Sequence, residues 1–343
     1  MQRPEVLQNI LGPRRERWLV TGAAGFIGSH LAGALLALGQ TVRGLDNLST
    51  GTLANLEAVR LQAAQDGVGR FDFIKGDIRD PGVCRDAMSG ISVVLHQAAL
   101  PSVPVSLKAP LECHAANVTG FCNILEAARL AGVRRIVHAS SSAVYGDAAS
   151  LPKVETMPVA PRSPYGLAKS VNEQYASLYR ECFGLETVSL RYFNIYGPRQ
   201  NPAGDYAAVI PLWFAALVRG QSPVIYGDGG SSRDFCHVDD VVAANVLAGL
   251  AAHASGVYNI GSGKATTLVE LFAAVRQAAA SVSPALETVT PRHQPSRAGD
   301  IRHSLADITR ARQELGFVPT IALQQGLLAM ADALGIRQDR PRA

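Results

Sequence analysis

The sequence predicts an α/β protein in which helices cover both faces of a parallel β-sheet, with a smaller mixed α/β lobe towards the C-terminal end. Apolar strand segments alternate with segments of helical periodicity, a pattern typical of parallel sheets with crossover helices. The length of 343 residues is sufficient for two modest domains. We place the larger domain at residues 17–192, joined by later segments near 233–260. The lobe is placed at residues 193–232 and 261–335, where Gly/Pro-rich turns follow a predicted strand.

A glycine-rich turn connects the first predicted strand to the first predicted helix. Its glycines have the spacing Gly-x-x-Gly-x-x-Gly. Glycines permit the tight turn and allow a diphosphate to approach the N-terminus of the helix, where unpaired N–H groups favour an anion. In this strand–turn–helix context the pattern predicts a dinucleotide-binding sheet of the Rossmann type. The predicted cofactor-binding residues of the turn and helix are Gly22, Gly25, Phe26, Ile27 and Gly28.

The second predicted strand ends at Asp46, 18 positions after Gly28. A carboxylate here accepts hydrogen bonds from the adenine ribose and repels a 2′-phosphate. Asn47 follows Asp46, and no arginine stands there to bind such a phosphate. We therefore expect NAD rather than NADP. Asp46 and Asn47 are both predicted to bind the cofactor. The remaining predicted cofactor-binding residues lie at later strand ends and on the helix after Pro110, and they are Asp77, Ile78, Gln97, Ala98, Ala99 and Asn117.

A strand predicted to end at Ser141 is followed by a helix that begins near Tyr165. Lys169 lies four positions further on, and residues at this spacing share one helix face. A free phenol has a pKa of about 10, and a neighbouring cation lowers that pKa by favouring the phenolate. We therefore expect Tyr165 to act as a general base. The Tyr-x-x-x-Lys spacing is weak by itself and gains weight from the glycine turn and the strand before it.

Composition excludes several classes of protein. The net charge is +4, but the basic residues are scattered and form no stripe of the kind that binds nucleic acid. The five cysteines have no C-x-x-C spacing and are interpreted as reduced thiols. His96 has no partner at metal-ligand spacing, so we predict no metal site. The charged first 17 residues and the lack of a long apolar run predict a cytoplasmic protein that does not bind membranes.

These motifs together are similar to those of the extended short-chain dehydrogenases/reductases, in particular the NAD-dependent nucleotide-sugar epimerases and dehydratases. The similarity extends from about Trp18 to about Pro319. It depends on the glycine turn, Asp46, Asp77, Ser-Ser-Ala-Val-Tyr-Gly, Tyr-x-x-x-Lys, Arg-Tyr-Phe-Asn and Arg-x-Gly-Asp, in this order. Within the group, His-Gln-Ala-Ala-Leu and Gly-Pro-Arg-Gln-Asn-Pro resemble the WbpP-type UDP-N-acetylglucosamine 4-epimerases of bacterial polysaccharide pathways.

The resemblance implies a homodimeric isomerase that inverts C4 of a UDP-sugar through a 4-keto intermediate. It implies that Tyr165 takes the proton of the sugar 4-hydroxyl, that Lys169 holds the nicotinamide ribose, and that Ser141 hydrogen-bonds the reacting oxygen. The most favoured reaction is UDP-N-acetylglucosamine to UDP-N-acetylgalactosamine. The residues implied to bind the substrate are Ser102, Ser141, Ser142, Tyr165, Asn194, Gln200, Val209, Tyr226, Arg233, Arg297, Asp300 and Ser304.

The resemblance implies that Ser304 determines the sugar preference. In the epimerase family a small residue at this position admits an N-acetyl group, whereas a tyrosine restricts the pocket to plain hexoses; the alternative is that Ser304 caps a helix. Pro101 replaces the glycine usual beside the sugar, which leaves the local shape open. Dehydratases have Asp-Glu where Ser142 and Ala143 stand, which argues against dehydration.

Other functions remain as alternatives to this epimerisation. The resemblance also fits a UDP-glucose 4-epimerase, a UDP-glucuronate 4-epimerase and a UDP-glucuronate decarboxylase. A non-catalytic NAD-binding protein belongs to a different class and usually lacks the tyrosine or the lysine, both of which are present here. Arg233 and Arg297 stand in Gly/Ser-containing loops, where the planar guanidinium suits a diphosphate. Taken alone, each would more simply be a surface charge.

Overall fold

Seven strands form one sheet in which every neighbouring pair is parallel, in the order β10-β6-β5-β4-β1-β2-β3. This arrangement in the computed structural model, which describes residue 11 and residues 14–66, 69–202, 207–296 and 301–334, confirms the predicted fold class. The strands are β1 (Arg17–Thr21), β2 (Thr41–Asp46), β3 (Arg70–Lys75), β4 (Val93–His96), β5 (Arg135–Ser141), β6 (Glu186–Tyr192), β7 (Asn194–Tyr196), β8 (Val224–Tyr226), β9 (Ser232–His237), β10 (Gly256–Ile260), β11 (Ala265–Thr267) and β12 (Arg292–Gln294).

Helices connect the strands and pack on both faces of the sheet. None of the described helices is both long and apolar enough to cross a membrane. The α-helices are α1 (Phe26–Ala37), α2 (Leu53–Asp66), α3 (Pro81–Met88), α4 (Val103–Lys108), α5 (Pro110–His114), α6 (Gly120–Leu130), α7 (Pro164–Phe183), α8 (Val209–Val218), α9 (Val238–Leu250), α10 (Leu268–Ala280), α11 (Thr309–Leu315) and α12 (Leu323–Ala333).

The order of the strands reverses between β1 and β4, which are neighbours in the sheet. In an open parallel sheet the carboxyl ends of two such strands leave a crevice that binds ligands. All four residues of β4 are buried, as expected for a strand covered on both faces. The predicted strand continued to Ala99, but β4 ends at His96. Residues 97–99 turn into the crevice instead, so their backbone is available there.

Helix α7 is fixed by local signals at both of its ends. Ser163 caps the N-terminus by accepting a hydrogen bond from the Gly166 N–H at 3.0 Å, and Pro164 occupies the first helical position. Gly184 ends the helix in the left-handed conformation, with φ at 70°. A cap of this kind contributes about 1 kcal/mol. Because α7 packs against β5 and β6, these signals set the height of its first turns above the ends of those strands.

The helix predicted after Pro110 is interrupted. It forms α5 and α6, separated by a π-helical turn at Ala115–Thr119 that contains Asn117. Single π-turns inside helices often occur at functional sites. Here the turn aims the Asn117 side chain at the segment that follows β4.

The smaller sheets lie in the C-terminal half of the chain. Strands β11, β9 and β7 form one of them, and β12 pairs with β8. A separate apolar core underlies them, in which Phe214 of α8, Leu271 of α10 and Leu327 of α12 are fully buried. Strand β10, by contrast, joins the seven-stranded sheet beside β6. The division of the chain into two domains remains a prediction.

Candidate active site

A cleft of about 500 Å³ opens at the carboxyl ends of the parallel strands, where the strand order reverses. Its other wall comes from residues that follow β6, namely Ile195, Arg199, Gln200, Asn201, Ala207 and Ala208. Clefts of this size and position commonly bind small molecules. The sequence-predicted residues that line it are Gly22, Gly25, Phe26, Ile27, Gly28, Asp46, Asn47, Asp77, Ile78, Gln97, Ala98, Ala99, Ser102, Ser141, Tyr165, Lys169 and Gln200.

The glycine turn is shaped so that only glycine fits at its ends. Gly22 has a φ of +69°, and a Cβ there would lie 2.8 Å from the Ala98 nitrogen. A Cβ on Gly28 would collide with the Gly22 carbonyl. The turn therefore packs closely between β1, α1 and the segment after β4. This leaves the first residues of α1 facing the cleft without side chains in front of them, a cradle that fits a dinucleotide diphosphate.

Asp46 is held in place by backbone donors at the end of β2. Its Oδ2 accepts from the Ala24 N–H at 2.9 Å, and its Oδ1 accepts from the Leu48 N–H at 2.7 Å. The side chain is largely buried yet borders the cleft. Each carboxylate oxygen keeps further acceptor capacity. Asp46 is thus positioned to accept from a ribose hydroxyl and to disfavour a phosphate at the same place.

A polar network forms the wall of the cleft next to Asp46. Asp77 accepts hydrogen bonds from Arg79 at 2.7 and 3.0 Å and from the Asn47 amide at 2.8 Å. The Arg79 guanidinium holds the pKa of Asp77 far below its ordinary value. Arg79 was not predicted as a site residue, although it stands two positions after Asp77. The network keeps Asp77 ionised and fixes its orientation.

The three predicted catalytic side chains come together because β5 ends beside the first turn of α7. The Lys169 ammonium donates to the Ala139 carbonyl at 2.7 Å and lies 5.8 Å from the centre of the Tyr165 ring. The Ser141 side chain hydrogen-bonds the Tyr165 phenol and also accepts from the Ala143 N–H at 3.1 Å. Lys169 is 3% exposed. A phenol, a hydroxyl and a buried cation thus share one end of the cleft.

The pKa of Tyr165 does not shift in the predicted direction. Burial raises this pKa, because a phenolate would lose its hydration, and the hydrogen bond from Ser141 opposes the shift only in part. Burial also lowers the pKa of Lys169 to about 8, while the Glu173 carboxylate one turn further along α7 acts to raise it. Spacing along the helix predicted the neighbours of Tyr165, but it could not predict how deeply its hydroxyl is buried.

Several predicted residues do not line the described part of the cleft. Asn117 is buried, where its Oδ1 accepts from the Leu100 N–H at 2.7 Å and its Nδ2 donates to the Leu100 carbonyl at 3.1 Å. It thus positions the segment after β4. Ser142, Asn194, Val209 and Tyr226 lie at the ends of secondary-structure elements, and Arg297 and Asp300 lie outside the described residues.

Arg233 and Ser304 are neighbours of the same residue. The Arg233 guanidinium donates to the Ser232 carbonyl at 2.9 Å, and the Ser304 N–H donates to that same oxygen at 3.1 Å. Arg233 is thus part of β9 in the smaller sheet, and Ser304 lies beside the first residue of that strand. The structure brings Arg233 and Ser304 together, but neither borders the described cleft, and their role in substrate binding remains a prediction.

Sequence reasoning missed three charged residues of the cleft wall: Arg79, Glu112 and Arg199. Arg199 stands inside the Gly-Pro-Arg-Gln-Asn-Pro segment, which was noted only for its resemblance. Among the described residues, no group of three or more His, Cys, Asp or Glu side chains could hold a metal ion. His96 is buried and shares a hydrogen bond of 2.8 Å with the Thr21 hydroxyl.

The parallel sheet and the glycine turn at its switch point define a dinucleotide-binding α/β protein. Residues 18–261 match the model of the NAD dependent epimerase/dehydratase family, and the chain belongs to that family. Membership confirms the family inferred from the sequence motifs and, with it, NAD as the predicted cofactor.

Similar proteins are known both from sequence and from structure. Over 318 residues the chain is 41% identical to a UDP-glucose 4-epimerase of Mycolicibacterium smegmatis, covering 91% of this chain and 96% of that protein. It resembles a UDP-N-acetylglucosamine 4-epimerase from Methanobrevibacter ruminantium, solved with UDP-N-acetylmuramic acid, at 35% identity and a TM-score of 0.85 over 93% and 98% of the two chains. A UDP-glucose 4-epimerase of Thermus thermophilus in complex with NAD gives 36% identity and a TM-score of 0.81 over 93% and 99%.

Proposed function

We propose that this protein interconverts the C4 epimers of a UDP-sugar with bound NAD as cofactor. One observation carries the proposal: Tyr165, Lys169 and Ser141 meet at one end of a cleft whose other end has the features of a dinucleotide site. The residues after Ser141 are Ser142 and Ala143, so the acidic pair of a dehydratase is missing. The names of the M. smegmatis, M. ruminantium and T. thermophilus relatives agree with this reaction class.

The chemistry follows from the lack of an acidic C4 hydrogen. No carbonyl stands next to C4 in the substrate, so a base cannot remove that hydrogen as a proton. NAD+, when bound, provides an acceptor for it as hydride and returns it. Tyr165 accepts the proton of the 4-hydroxyl, and Ser141 orients the same oxygen. Because burial raises the pKa of Tyr165, the Lys169 cation beside the ring is needed to make the phenolate accessible.

For the sugar we favour the UDP-N-acetylglucosamine and UDP-N-acetylgalactosamine pair. The support is the small side chain of Ser304, which in the resemblance to the epimerase family admits an acetamido group, and its position beside Arg233 at β9. The name of the M. ruminantium relative agrees with this choice. UDP-glucose and UDP-galactose are the second candidate pair, favoured by the name of the M. smegmatis relative at 41% identity.

A panel of substrates distinguishes these candidates. The protein is incubated separately with UDP-N-acetylglucosamine, UDP-N-acetylgalactosamine, UDP-glucose and UDP-glucuronate, and the products are separated by chromatography. We expect the two acetylated sugars to be interconverted faster than UDP-glucose is epimerised. Faster conversion of UDP-glucose selects the second candidate, whereas no conversion of any of the four refutes the epimerase proposal.

The purified protein is expected to carry NAD and to turn over without added cofactor. The reason is that Asp46 and the glycine turn fit NAD and that the reaction regenerates the cofactor in every cycle. Denaturation should release NAD(H), which enzymatic cycling assays measure separately from NADP(H). Release of NADP(H), or activity that requires added NADP+, would show the assignment of Asp46 to be wrong.

Ser304→Tyr is expected to abolish the reaction of the acetylated sugars and to leave most of the plain-hexose reaction intact. A phenol at this position fills the space that the acetamido group needs, while a 2-hydroxyl still fits. Both reactions are measured by chromatography. Ser281→Tyr, at the exposed end of α10, controls for the added ring and should change neither. If Ser304→Tyr converts UDP-N-acetylglucosamine as well as the parent does, Ser304 does not set the preference.

A further inference from the structure

Arg199 enters the cleft from the turn that follows β7, and its backbone is strained. Its φ is +66°, in the left-handed region that side-chain-bearing residues rarely adopt. Contacts on both sides hold this conformation. The His30 Nε2–H of α1 donates to the Pro198 carbonyl at 2.9 Å, and the Gln200 amide donates to the Ile195 carbonyl at 3.2 Å. Strain that is held in this way by the surrounding structure is common at ligand-binding positions.

The Arg199 guanidinium is a half-buried cation for which the described residues provide no ion-pair partner. Its Nη1 is inaccessible to solvent and has no hydrogen-bond partner among the described residues. An arginine remains protonated in proteins, and a buried charge without a partner is costly. In this structure burial lowers the pKa of Arg199, which reflects that cost. A bound anion would offset this cost.

The ionisable side chains around Arg199 do not supply that anion. Asp239 acts on Arg199 electrostatically, but within the described part of the chain no carboxylate approaches the guanidinium within the 4.0 Å of an ion pair. Asp239 instead lies 3.9 Å from His30 and 3.5 Å from His237. Burial lowers the pKa of His30 to about 4, so this imidazole is neutral at pH 7. A ligand that carries negative charge would therefore find an unpaired cation at this wall of the cleft.

We propose that Arg199 binds the diphosphate of a nucleotide held in the cleft. The planar guanidinium can donate two parallel hydrogen bonds to phosphate oxygens. Arg199 lies beside α1, next to where such a ligand would bind. His30 of α1 hydrogen-bonds the Pro198 carbonyl and contacts the Phe26 ring edge-on at 5.9 Å, and Phe26 and Arg199 both line the cleft. Both the cofactor and a UDP-sugar carry a diphosphate. The cofactor is the expected source, because Arg199 adjoins the helix that begins at the glycine turn.

This assignment gives the segment after β7 a role at the parallel sheet. The Pro198–Arg199 turn lies in the region predicted as the substrate lobe, whereas α1 belongs to the larger sheet. A diphosphate bound by Arg199 would connect the two, and nucleotide binding would stabilise this turn in its strained conformation. Only the UDP source rests on the proposed function; binding of the cofactor diphosphate does not require that the sugar reaction be correct.

Binding measurements on the full-length, nucleotide-free protein test the proposal. ADP and adenosine are titrated as probes of the cofactor side, and UDP and uridine as probes of the substrate side. We expect Arg199→Gln to weaken binding of ADP by at least about 10-fold, the effect of losing a hydrogen bond to a charged group, and to leave adenosine unchanged. Weaker binding of UDP with unchanged binding of uridine would support the proposal, with the substrate as the source of the diphosphate. The control variant Arg219→Gln, at the exposed end of α8, should leave the affinities for all four probes unchanged.

Thermal unfolding of the nucleotide-free protein distinguishes ligand binding from a structural role. Removal of an unpaired, half-buried cation should leave the melting temperature of Arg199→Gln equal to or above that of the parent, while stabilisation by added ADP becomes smaller. Unchanged affinities for both ADP and UDP would overturn the proposal. A lower melting temperature with equal losses of affinity for ADP and adenosine would also overturn it, since Arg199 would then stabilise the fold rather than bind a diphosphate. Because turnover is not measured, neither result depends on the sugar reaction.

Discussion

Turnover is expected to fall by about 10²–10⁴-fold when Tyr165 is replaced by phenylalanine, the usual contribution of a positioned general base. The substitution removes the phenolic oxygen and keeps the ring, so the 5.8 Å contact between the ring centre and the Lys169 ammonium persists. The affinity for UDP should change little, because in the proposed mechanism the phenol acts on the sugar and not on the nucleotide. Initial rates and UDP titrations measure the two quantities separately.

Two further variants test whether the fall in turnover is caused by the loss of the general base. Tyr175→Phe changes a tyrosine that is on the same helix and 37% exposed, and it should keep full activity. Lys169→Met should move the rising limb of the pH–rate profile to higher pH, because loss of the cation makes the phenolate harder to form. Near-normal turnover in Tyr165→Phe would show that another group accepts the proton.

The parent enzyme should also lose activity as the pH rises above about 8. Burial lowers the pKa of Lys169 to about 8, so its ammonium is charged below this pH and neutral above it. The cation that favours the Tyr165 phenolate is then lost. A fall in kcat beyond about pH 8 that is absent from Lys169→Met would fit this explanation, whereas the same descending limb in both proteins would contradict it.

Local patterns were sufficient to predict the sheet and the position of the cleft. Parallel strands buried on both faces are short apolar runs, and each ends where the pattern changes, as at Asp46 and Ser141. The glycine turn requires its residues at fixed positions, because a Cβ on Gly22 or Gly28 would collide with backbone. Signals of this kind are contained in a few consecutive residues, so they can be recognised without knowing the remainder of the fold.

Other features depend on contacts between distant segments and could not be predicted. Asn117 was predicted to bind the cofactor, but its amide hydrogen-bonds the Leu100 backbone across the split helix. The rise in the pKa of Tyr165 depends on burial by surrounding elements. Arg199 faces the cleft because a non-glycine residue adopts a positive φ, and no residue type in Gly-Pro-Arg-Gln marks that conformation.

One buried ion pair anchors the helix that carries Tyr165 and Lys169. Glu173 of α7 and Arg191 of β6 form two hydrogen bonds, at 2.8 and 2.9 Å, with side-chain exposures of 9% and 4%. The Ser140 hydroxyl at the end of β5 donates to the same carboxylate at 2.5 Å. The guanidinium also lies 4.6 Å from the centre of the Tyr145 ring. The pair therefore joins α7 to the ends of two central strands.

Glu173→Ala is expected to lower the free energy of unfolding by about 3–5 kcal/mol, because it leaves the Arg191 charge buried without its counterion. The midpoint of urea denaturation should fall accordingly. Replacing both partners, in Glu173→Leu with Arg191→Met, removes the unpaired charge and should restore part of the loss. Failure of the double variant to recover would mean that packing around Glu173, rather than charge, determines the effect.

Glu126→Ala is the matched control, since Glu126 pairs with Arg129 at 2.6 Å on a neighbouring helix with exposures of 43% and 34%. Water screens an exposed pair of this kind, and its loss should cost no more than about 1 kcal/mol. The comparison thus separates the contribution of burial to stability from that of an ion pair as such. Equal shifts of the denaturation midpoint in Glu173→Ala and Glu126→Ala would show that the Glu173–Arg191 pair contributes no more to stability than a surface pair. A much larger shift in Glu173→Ala would instead show that the position of α7, and with it Tyr165, depends on a buried charge being matched.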